Sequence, residues 1–222
     1  MNDKPAANPR QLATRALLRK AGILPVVTVE SIPQAIAIAG ALARGGLWAI
    51  EVTLRSAAAM QALGALKREV PQMLLGAGTV TTPLQARMAV DQGADFLVTP
   101  GTPPALGTAL AALTLPVVPG AATASEIMAL LDLGFDAVKL FPAVSAGGIN
   151  MIKSLAGPFP GLALCPTGGI SESTATEFLK QPNVLCIGGS WMVAADWIGA
   201  GRFDEVEASA RRARALIDAA QS

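Results

Sequence analysis

Short apolar runs recur along most of the chain at intervals of 20–26 residues, and this repetition limits the possible folds more than any other feature. Eight runs are typical of buried strands, and they begin at residues 23, 47, 73, 95, 115, 136, 162 and 184. Seven helix-like segments separate them, several ending in glycine. Strands that alternate with helices form parallel sheets with right-handed crossovers. Eight such units predict an α/β fold, a closed (β/α)8 TIM barrel, with a doubly wound open sheet as the alternative.

A further helix is expected before the first strand. Residues 8–22 begin with Asn8 as a possible N-cap and Pro9 at the first helical position, and they end in Gly22. No linker or low-complexity segment divides the remaining chain. We therefore expect residues 1–222 to form a single barrel domain with a short N-terminal helix.

The composition argues against several classes of partner. Hydrophobic residues make up 52% of the chain and charged residues 15%, which is too apolar for a disordered protein. The formal net charge is +1, which is too small to indicate nucleic acid or an anionic membrane as a partner. The arginines near residue 212 share their segment with acidic residues, as on a solvated helix.

The chain contains no histidine, and this removes both the commonest metal ligand and the commonest general base. Cys165 and Cys186 lie in apolar runs without the spacing of a metal site, and we expect them to be free, buried thiols. We therefore expect no metal or other cofactor. Proton transfer would have to fall to Glu, Asp, Lys, Cys or water.

The first 20 residues carry charges throughout and lack the apolar segment of a secretory signal. The longest apolar stretch, at 35–43, is too short to cross a bilayer. These features predict a cytoplasmic protein.

The second apolar run contains two charged residues on one face. Side chains alternate along a strand, so Ile50 and Val52 would face the helices, while Glu51 and Arg55 would face the barrel interior or its upper mouth. Burying charges is costly unless they are paired or used. This pattern favours an active site, with a structural ion pair as the alternative.

The same parity argument applies to the sixth run, DAVKLF. Val138 and Leu140 share the apolar side, so Lys139 and Phe141 point into the barrel. Burial disfavours the ammonium form of a lysine, and the free amine can form a Schiff base with a carbonyl. Glu51 is the natural partner base in a chain without histidine. A phosphate contact or a surface lysine remains the alternative.

The seventh and eighth runs both end in glycines. Gly168 and Gly169 follow the seventh run, while Gly188, Gly189 and Ser190 close the eighth. The loops after strands seven and eight of barrels often bind phosphate through backbone N–H groups. Since glycines also serve tight turns, the two pairs together, rather than either alone, predict a phosphate site.

Two further residues lie at predicted strand ends near the mouth. Thr79 ends the third run, and it is either a substrate contact or a cap for the next helix. The backbone of Pro100, after the fourth run, is a plausible second substrate contact.

Six of these strand-end motifs, in this order, resemble one known family. EVTLR, GAGTV, VTPG, KLFPA, CPTGGI and CIGGSW are similar to motifs of the 2-dehydro-3-deoxy-phosphogluconate (KDPG) and 4-hydroxy-2-oxoglutarate (KHG) aldolases. The resemblance runs from about Gly22 to the C-terminus. It implies a class I aldolase on a (β/α)8 barrel, usually a homotrimer, acting in the Entner–Doudoroff pathway. Its substrate would be the phosphorylated keto acid KDPG, cleaved to pyruvate and glyceraldehyde 3-phosphate, and in many members also KHG.

The resemblance also implies roles for individual residues. Lys139 would form the Schiff base and Glu51 would be the general acid and base. Arg55 and Thr79 would contact the pyruvyl carboxylate, a group that a guanidinium can bind through two hydrogen bonds. Phe141 would pack beside the imine, and Thr167 would lie near the substrate. The phosphate site would be formed by Gly168, Gly169 and Ser190.

The sequence departs from the family at two positions. Many relatives have glutamate where this chain has Val144, and some carry an arginine in the first strand that is absent here. Either difference could alter selectivity for the aldehyde part of the substrate, and the orientation of the C4 hydroxyl (gluconate or galactonate type) stays open. A phosphosugar isomerase or epimerase, and a non-catalytic phosphometabolite-binding barrel, are the alternatives from other function classes.

Overall fold

The computed structural model describes residues 8–221, which form strands and helices in close alternation. The strands are β1 (Ile23–Val27), β2 (Ala49–Thr53), β3 (Leu74–Gly78), β4 (Phe96–Val98), β5 (Val117–Val118), β6 (Gly120–Ala121), β7 (Ala137–Leu140), β8 (Ala163–Leu164) and β9 (Ile187–Gly189). The helices are α1 (Pro9–Ala21), α2 (Ile32–Arg44), α3 (Ala59–Glu69), α4 (Pro83–Asp91), α5 (Pro104–Ala111), α6 (Ala124–Asp132), α7 (Gly148–Ala156), α8 (Ala175–Leu179), α9 (Ala195–Gly199) and α10 (Phe203–Gln221). The predicted α/β alternation is confirmed.

All strand pairs are parallel, and they form two sheets. One sheet has six strands in the order β5-β4-β3-β2-β1-β9, and the other has three in the order β6-β7-β8. Isolated parallel bridges join Leu164 to Val184 and Thr167 to Gly188, beside β8 and β9. The sheets are thus less continuous than the ring of eight strands that the sequence predicts.

The fifth predicted strand is divided in two, and proline explains the division. Pro119 stands between β5 and β6, and it has no N–H group to donate to a strand ladder. Its carbonyl oxygen accepts a hydrogen bond from the Lys139 backbone N–H at 2.8 Å. β5 pairs with β4 and β6 pairs with β7, so the two halves of this run belong to different sheets.

The apolar side chains form two separate cores. The larger one contains Ile50, Val52, Val138 and Leu140, and it lies between the strands and the surrounding helices. The smaller one lies on the opposite face of the strands. Its buried members are Leu17, Leu18, Ala21, Leu24, Ala49, Phe96, Val98, Val118, Ala137, Ala163, Cys165 and Cys186. The alternation that the sequence predicts for β2 and β7 is therefore observed.

Helix α1 covers the amino ends of the strands. Asn8 caps it in a capping box with Gln11, as the sequence predicts for its start. Arg15 forms an ion pair with Asp136, the residue before β7, at 2.7 Å. The buried Arg10 donates to the carbonyl oxygens of Leu110 and Ala111 at the end of α5. These contacts close one end of the fold and leave the carboxyl ends of the strands for the site.

Two short elements near the end of the chain were not predicted. A 3-10 helix spans Trp191–Val193 directly after β9, and α9 follows it. α10 is the predicted terminal helix. Within the part of the chain that the structure describes, no helix has both the length and the apolar character needed to cross a membrane.

Candidate active site

The candidate site is centred on a buried ion pair between Lys139 and Glu51. Lys139 is the third residue of β7 and Glu51 the third residue of β2, so the pair joins the two sheets. Lys139 Nζ lies 3.0 Å from Glu51 Oε1 and 3.4 Å from Oε2. The exposed fraction is 4% for Lys139 and 1% for Glu51. The two side chains singled out from strand parity are therefore in direct contact, 88 residues apart in the chain.

The Glu51 carboxylate occupies space that only a glycine on β3 leaves free. Thr53 of β2 pairs in register with Gly78 of β3. A Cβ atom built on Gly78 would lie 2.7 Å from Glu51 Cδ and closer still to Oε1 and Cγ. The second glycine of GAGTV, Gly78, is therefore required sterically, because the carboxylate approaches the backbone closely there.

Both cysteines are free and buried, as predicted. They belong to the smaller of the two cores, which lies on the same face of the strands as the ion pair. Burial raises the pKa of the Cys186 thiol well above its ordinary value, and contact with Cys165 and the charge of Glu51 add to the shift. A thiol with a raised pKa is a poor nucleophile, so Cys186 acts as an apolar core residue beneath the site.

A cavity of about 680 Å³ opens above the ion pair at the carboxyl ends of the strands. Besides Lys139 and Arg55, its lining includes six predicted residues, which come from the ends of β7, β8 and β9. These six are Phe141, Thr167, Gly168, Gly169, Gly189 and Ser190. Arg55, after β2, also lines the cavity. Glu51 lies beneath it, shielded by Lys139, whose Nζ is 5.4 Å from the centroid of the Phe141 ring.

The loop after β8 has a backbone conformation that favours glycine. Gly168 and Gly169 have φ values of +102° and +79°, a region that disfavours side chains. A Cβ atom at Gly169 would lie 2.8 Å from the Cβ of Val144, and the Val144 N–H donates to the Gly168 carbonyl oxygen. Val144 thus packs directly on the predicted phosphate loop.

Arg55 and Thr79 contact each other at the mouth. Arg55 Nε donates to Thr79 Oγ1 at 3.2 Å, and Thr79 has a φ of +57°, the single positive value among the non-glycine residues of 8–221. Helix α4 is capped by Thr82 and not by Thr79, so the alternative role of Thr79 as a cap is wrong. Among residues 8–221, the cavity lining includes neither Thr79 nor Pro100, and their substrate contacts stay predictions.

Two parts of the cavity wall were not predicted from the sequence. One is the segment after β1, from which Thr28, Glu30 and Gln34 line the cavity. The other lies between Val193 and Gly199, in the short helices after β9. The position of Thr28 and Glu30 at the carboxyl end of a strand was the available signal. The second part had no comparable signal.

Comparison with known proteins identifies the family. The family model described as "Aldolase: KDPG and KHG aldolase" matches residues 14–209. This chain belongs to the KDPG and KHG aldolase family. The KHG/KDPG aldolase of Escherichia coli K12 is 40% identical over 201 residues, which cover 90% of this chain and 94% of that protein.

Two solved structures of KDPG aldolases are close to this fold. The enzyme from Legionella pneumophila, with pyruvate captured at low pH as a covalent carbinolamine, matches with a TM-score of 0.87 at 38% identity, covering 89% of this chain and 96% of that one. The enzyme from Zymomonas mobilis ZM4, with 3-phosphoglycerate, has the same TM-score and identity, covering 93% and 97%. Covalent capture of pyruvate in the first of these aldolases requires a nucleophilic group in its site.

The buried pair of Lys139 and Glu51 is the acid–base group at the base of this cavity. Across residues 8–221, no group of three or more Cys, Asp and Glu side chains is arranged to hold a metal ion. What the arrangement can do is pass a proton across 3.0 Å from Lys139 Nζ to Glu51 Oε1, which frees the amine for attack on a carbonyl at the base of the cavity.

Proposed function

We propose that this protein is a class I aldolase that cleaves KDPG to pyruvate and glyceraldehyde 3-phosphate through a Schiff base on Lys139. The observation that carries the proposal is the buried contact between Lys139 Nζ and Glu51 Oε1 at the base of the cavity. Family membership supports the reaction class, and Schiff-base chemistry on a lysine needs no metal or other cofactor.

The first stage would join the substrate to the enzyme. Glu51 takes a proton from Lys139 Nζ, and the amine attacks the C2 carbonyl carbon to give a carbinolamine. Glu51 returns the proton to the carbinolamine hydroxyl, which leaves as water and gives the protonated imine. The covalent carbinolamine in the Legionella pneumophila relative supports this stage.

The second stage would break the carbon–carbon bond. A base removes the proton of the C4 hydroxyl, the C3–C4 bond breaks, and its electron pair moves into the imine to give an enamine on Lys139. The C4 fragment departs as the aldehyde. Glu51, whose carboxylate lies against the backbone of Gly78, is first the base and then the acid that protonates the enamine at C3. Water hydrolyses the resulting imine, which releases pyruvate and restores the amine.

The cavity walls would orient the two ends of the substrate. Arg55, assisted by Thr79, binds the pyruvyl carboxylate, and the Pro100 backbone provides a further contact. Phe141 packs beside the imine and Thr167 lies beside the central carbons. The phosphate is bound by the loops after β8 and β9, through Gly168, Gly169, Gly189 and Ser190.

The same proposal includes closure of the strands into a (β/α)8 barrel. β5 and β6 are two halves of one run, which transfers from the first sheet to the second at Pro119. The isolated bridges beside β8 and β9 support continuity on the other side, as does the contact of Lys139 with Glu51 across the interior. The homotrimeric assembly implied by the resemblance and the cytoplasmic location predicted from the sequence stay predictions.

A pyruvate-release assay tests the function. The assay compares KDPG, its galactonate-type epimer at C4 and KHG, with lactate dehydrogenase and NADH as the coupling system. We expect turnover of KDPG with the highest kcat/KM, and slower turnover of KHG. Release of pyruvate from the galactonate-type compound alone, or from none of the three, would contradict the proposal.

A further inference from the structure

Thr28 occupies the cavity wall between the two predicted ends of the substrate. In the larger sheet, β1 lies between β9 and β2. β9 leads to Ser190 in the phosphate site, and β2 leads to Arg55 in the carboxylate site. Thr28 is the first residue after β1, and it lines the cavity. The strand order therefore places it beside the middle of a substrate that reaches from Arg55 to Ser190.

The direction of its hydrogen bonds follows from counting hydroxyl protons. Thr53 Oγ1 donates to the Val27 carbonyl oxygen at 3.1 Å, and a carbonyl can only accept. Thr53 has one hydroxyl proton, so both of its contacts are hydrogen bonds only when it accepts from Thr28, which lies 2.9 Å away. The proton of Thr28 is therefore committed to Thr53. Towards the cavity, Thr28 offers a lone pair and no proton.

An acceptor at this position selects among the groups of the substrate. A phosphate or carboxylate oxygen has no proton to give, so Thr28 cannot serve either group. Glu30, two residues further on the same wall, is also an acceptor when ionised. Between the imine and the phosphate, KDPG carries hydroxyls at C4 and C5. The C4 hydroxyl gives up its proton in the cleavage, whereas the C5 hydroxyl keeps its proton throughout.

This inference rests on the proposed function and names a determinant of substrate choice within it. We propose that Thr28 is a specificity-determining residue, whose hydroxyl oxygen accepts a hydrogen bond from the C5 hydroxyl of the substrate. In the reverse reaction, this group is the C2 hydroxyl of the aldehyde. The pair of Thr53 and Val27 acts as the positioning element, because it fixes the Thr28 hydroxyl as an acceptor.

The test uses two aldehydes that differ by this hydroxyl alone. Pyruvate is condensed with glyceraldehyde 3-phosphate or with 3-oxopropyl phosphate, and the selectivity is the ratio of their kcat/KM values. A single neutral hydrogen bond is worth about 3- to 10-fold. We expect Thr28→Val to lower the selectivity by that factor, because the loss falls on the hydroxylated aldehyde and much less on 3-oxopropyl phosphate. Thr28→Ser keeps the oxygen and should retain the selectivity.

Three results would overturn the inference: an unchanged selectivity in Thr28→Val, an equal loss for both aldehydes, or a Thr28→Ser variant that behaves like valine. The melting temperature of both variants separates these outcomes from misfolding. Failure of the proposed function has a different signature. In that case the unsubstituted protein forms no borohydride-stable adduct with pyruvate at Lys139, and both proposals fall together.

Discussion

Replacement of Gly78 by alanine tests whether the position of Glu51 matters for catalysis. The new Cβ atom would lie 2.7 Å from Glu51 Cδ, while carbon atoms in ordinary contact are about 3.5–4.0 Å apart. The carboxylate therefore has to move by about 1 Å, away from its present distance of 3.0 Å to Lys139 Nζ. Gly78 lies in β3, so alanine suits the backbone conformation and the conflict is confined to the side chain.

A misplacement of about 1 Å at a reacting group can lower the rate about 100-fold. We expect Gly78→Ala to lower kcat for pyruvate release from KDPG by roughly this factor, with a much smaller change in KM, because Arg55 and the glycine loops are untouched. Overpacking should also reduce the free energy of unfolding by about 1–3 kcal/mol. Steady-state kinetics and urea denaturation measure the two effects separately.

Gly157→Ala is the matched control. Gly157 follows α7 with an ordinary φ of −65°, and a Cβ atom added there would have no heavy atom within 4 Å apart from its chain neighbours. This variant should keep the full kcat. A Gly78→Ala enzyme with wild-type kcat would show that catalysis does not depend on the observed position of Glu51.

Two further predictions concern the buried groups. Lys139→Met leaves the Glu51 charge buried without its partner and should lower the free energy of unfolding by about 3–5 kcal/mol, while the double variant with Glu51→Leu should recover most of this loss in urea denaturation. Because burial raises the pKa of Cys186 above its ordinary value of 9.0, its contribution to stability is complete below that pH and declines as the pH rises towards the folded-state pKa. In urea denaturation at increasing pH, the free energy of unfolding of the Cys186→Ala variant should therefore fall less steeply than that of the unsubstituted protein. Equal slopes against pH would contradict a raised pKa of Cys186 in the folded state.

The alternation of strands and helices could be predicted because it depends on local patterns. Period-two alternation in β2 and β7 placed Glu51 and Lys139 on the inner face, and the contact between them follows from the parallel arrangement. The division of the fifth run at Pro119 was not predicted, because the apolar run continues through the proline and only the pairing with β4 and β7 assigns its two halves to different sheets.

The parts of the site that the sequence did not predict depend on tertiary contacts. Thr28 gains its acceptor character from Thr53, 25 residues away, and no local pattern encodes that contact. Gly78 belongs to a motif that the sequence draws attention to, but its purpose is visible only where the Glu51 carboxylate approaches it. The segment after β9 has no charged residue facing the cavity and therefore gave no chemical signal.

Covalent trapping of pyruvate tests whether Lys139 is the nucleophile. The protein is incubated with pyruvate and sodium borohydride, digested, and mapped by mass spectrometry. We expect a single reduced adduct on Lys139, loss of aldolase activity in proportion to the adduct, and no adduct in Lys139→Ala. Lys153, which lies on α7, should remain unmodified. An adduct on another lysine, or full aldolase activity after treatment without any adduct, would contradict the claim that Lys139 is the nucleophile.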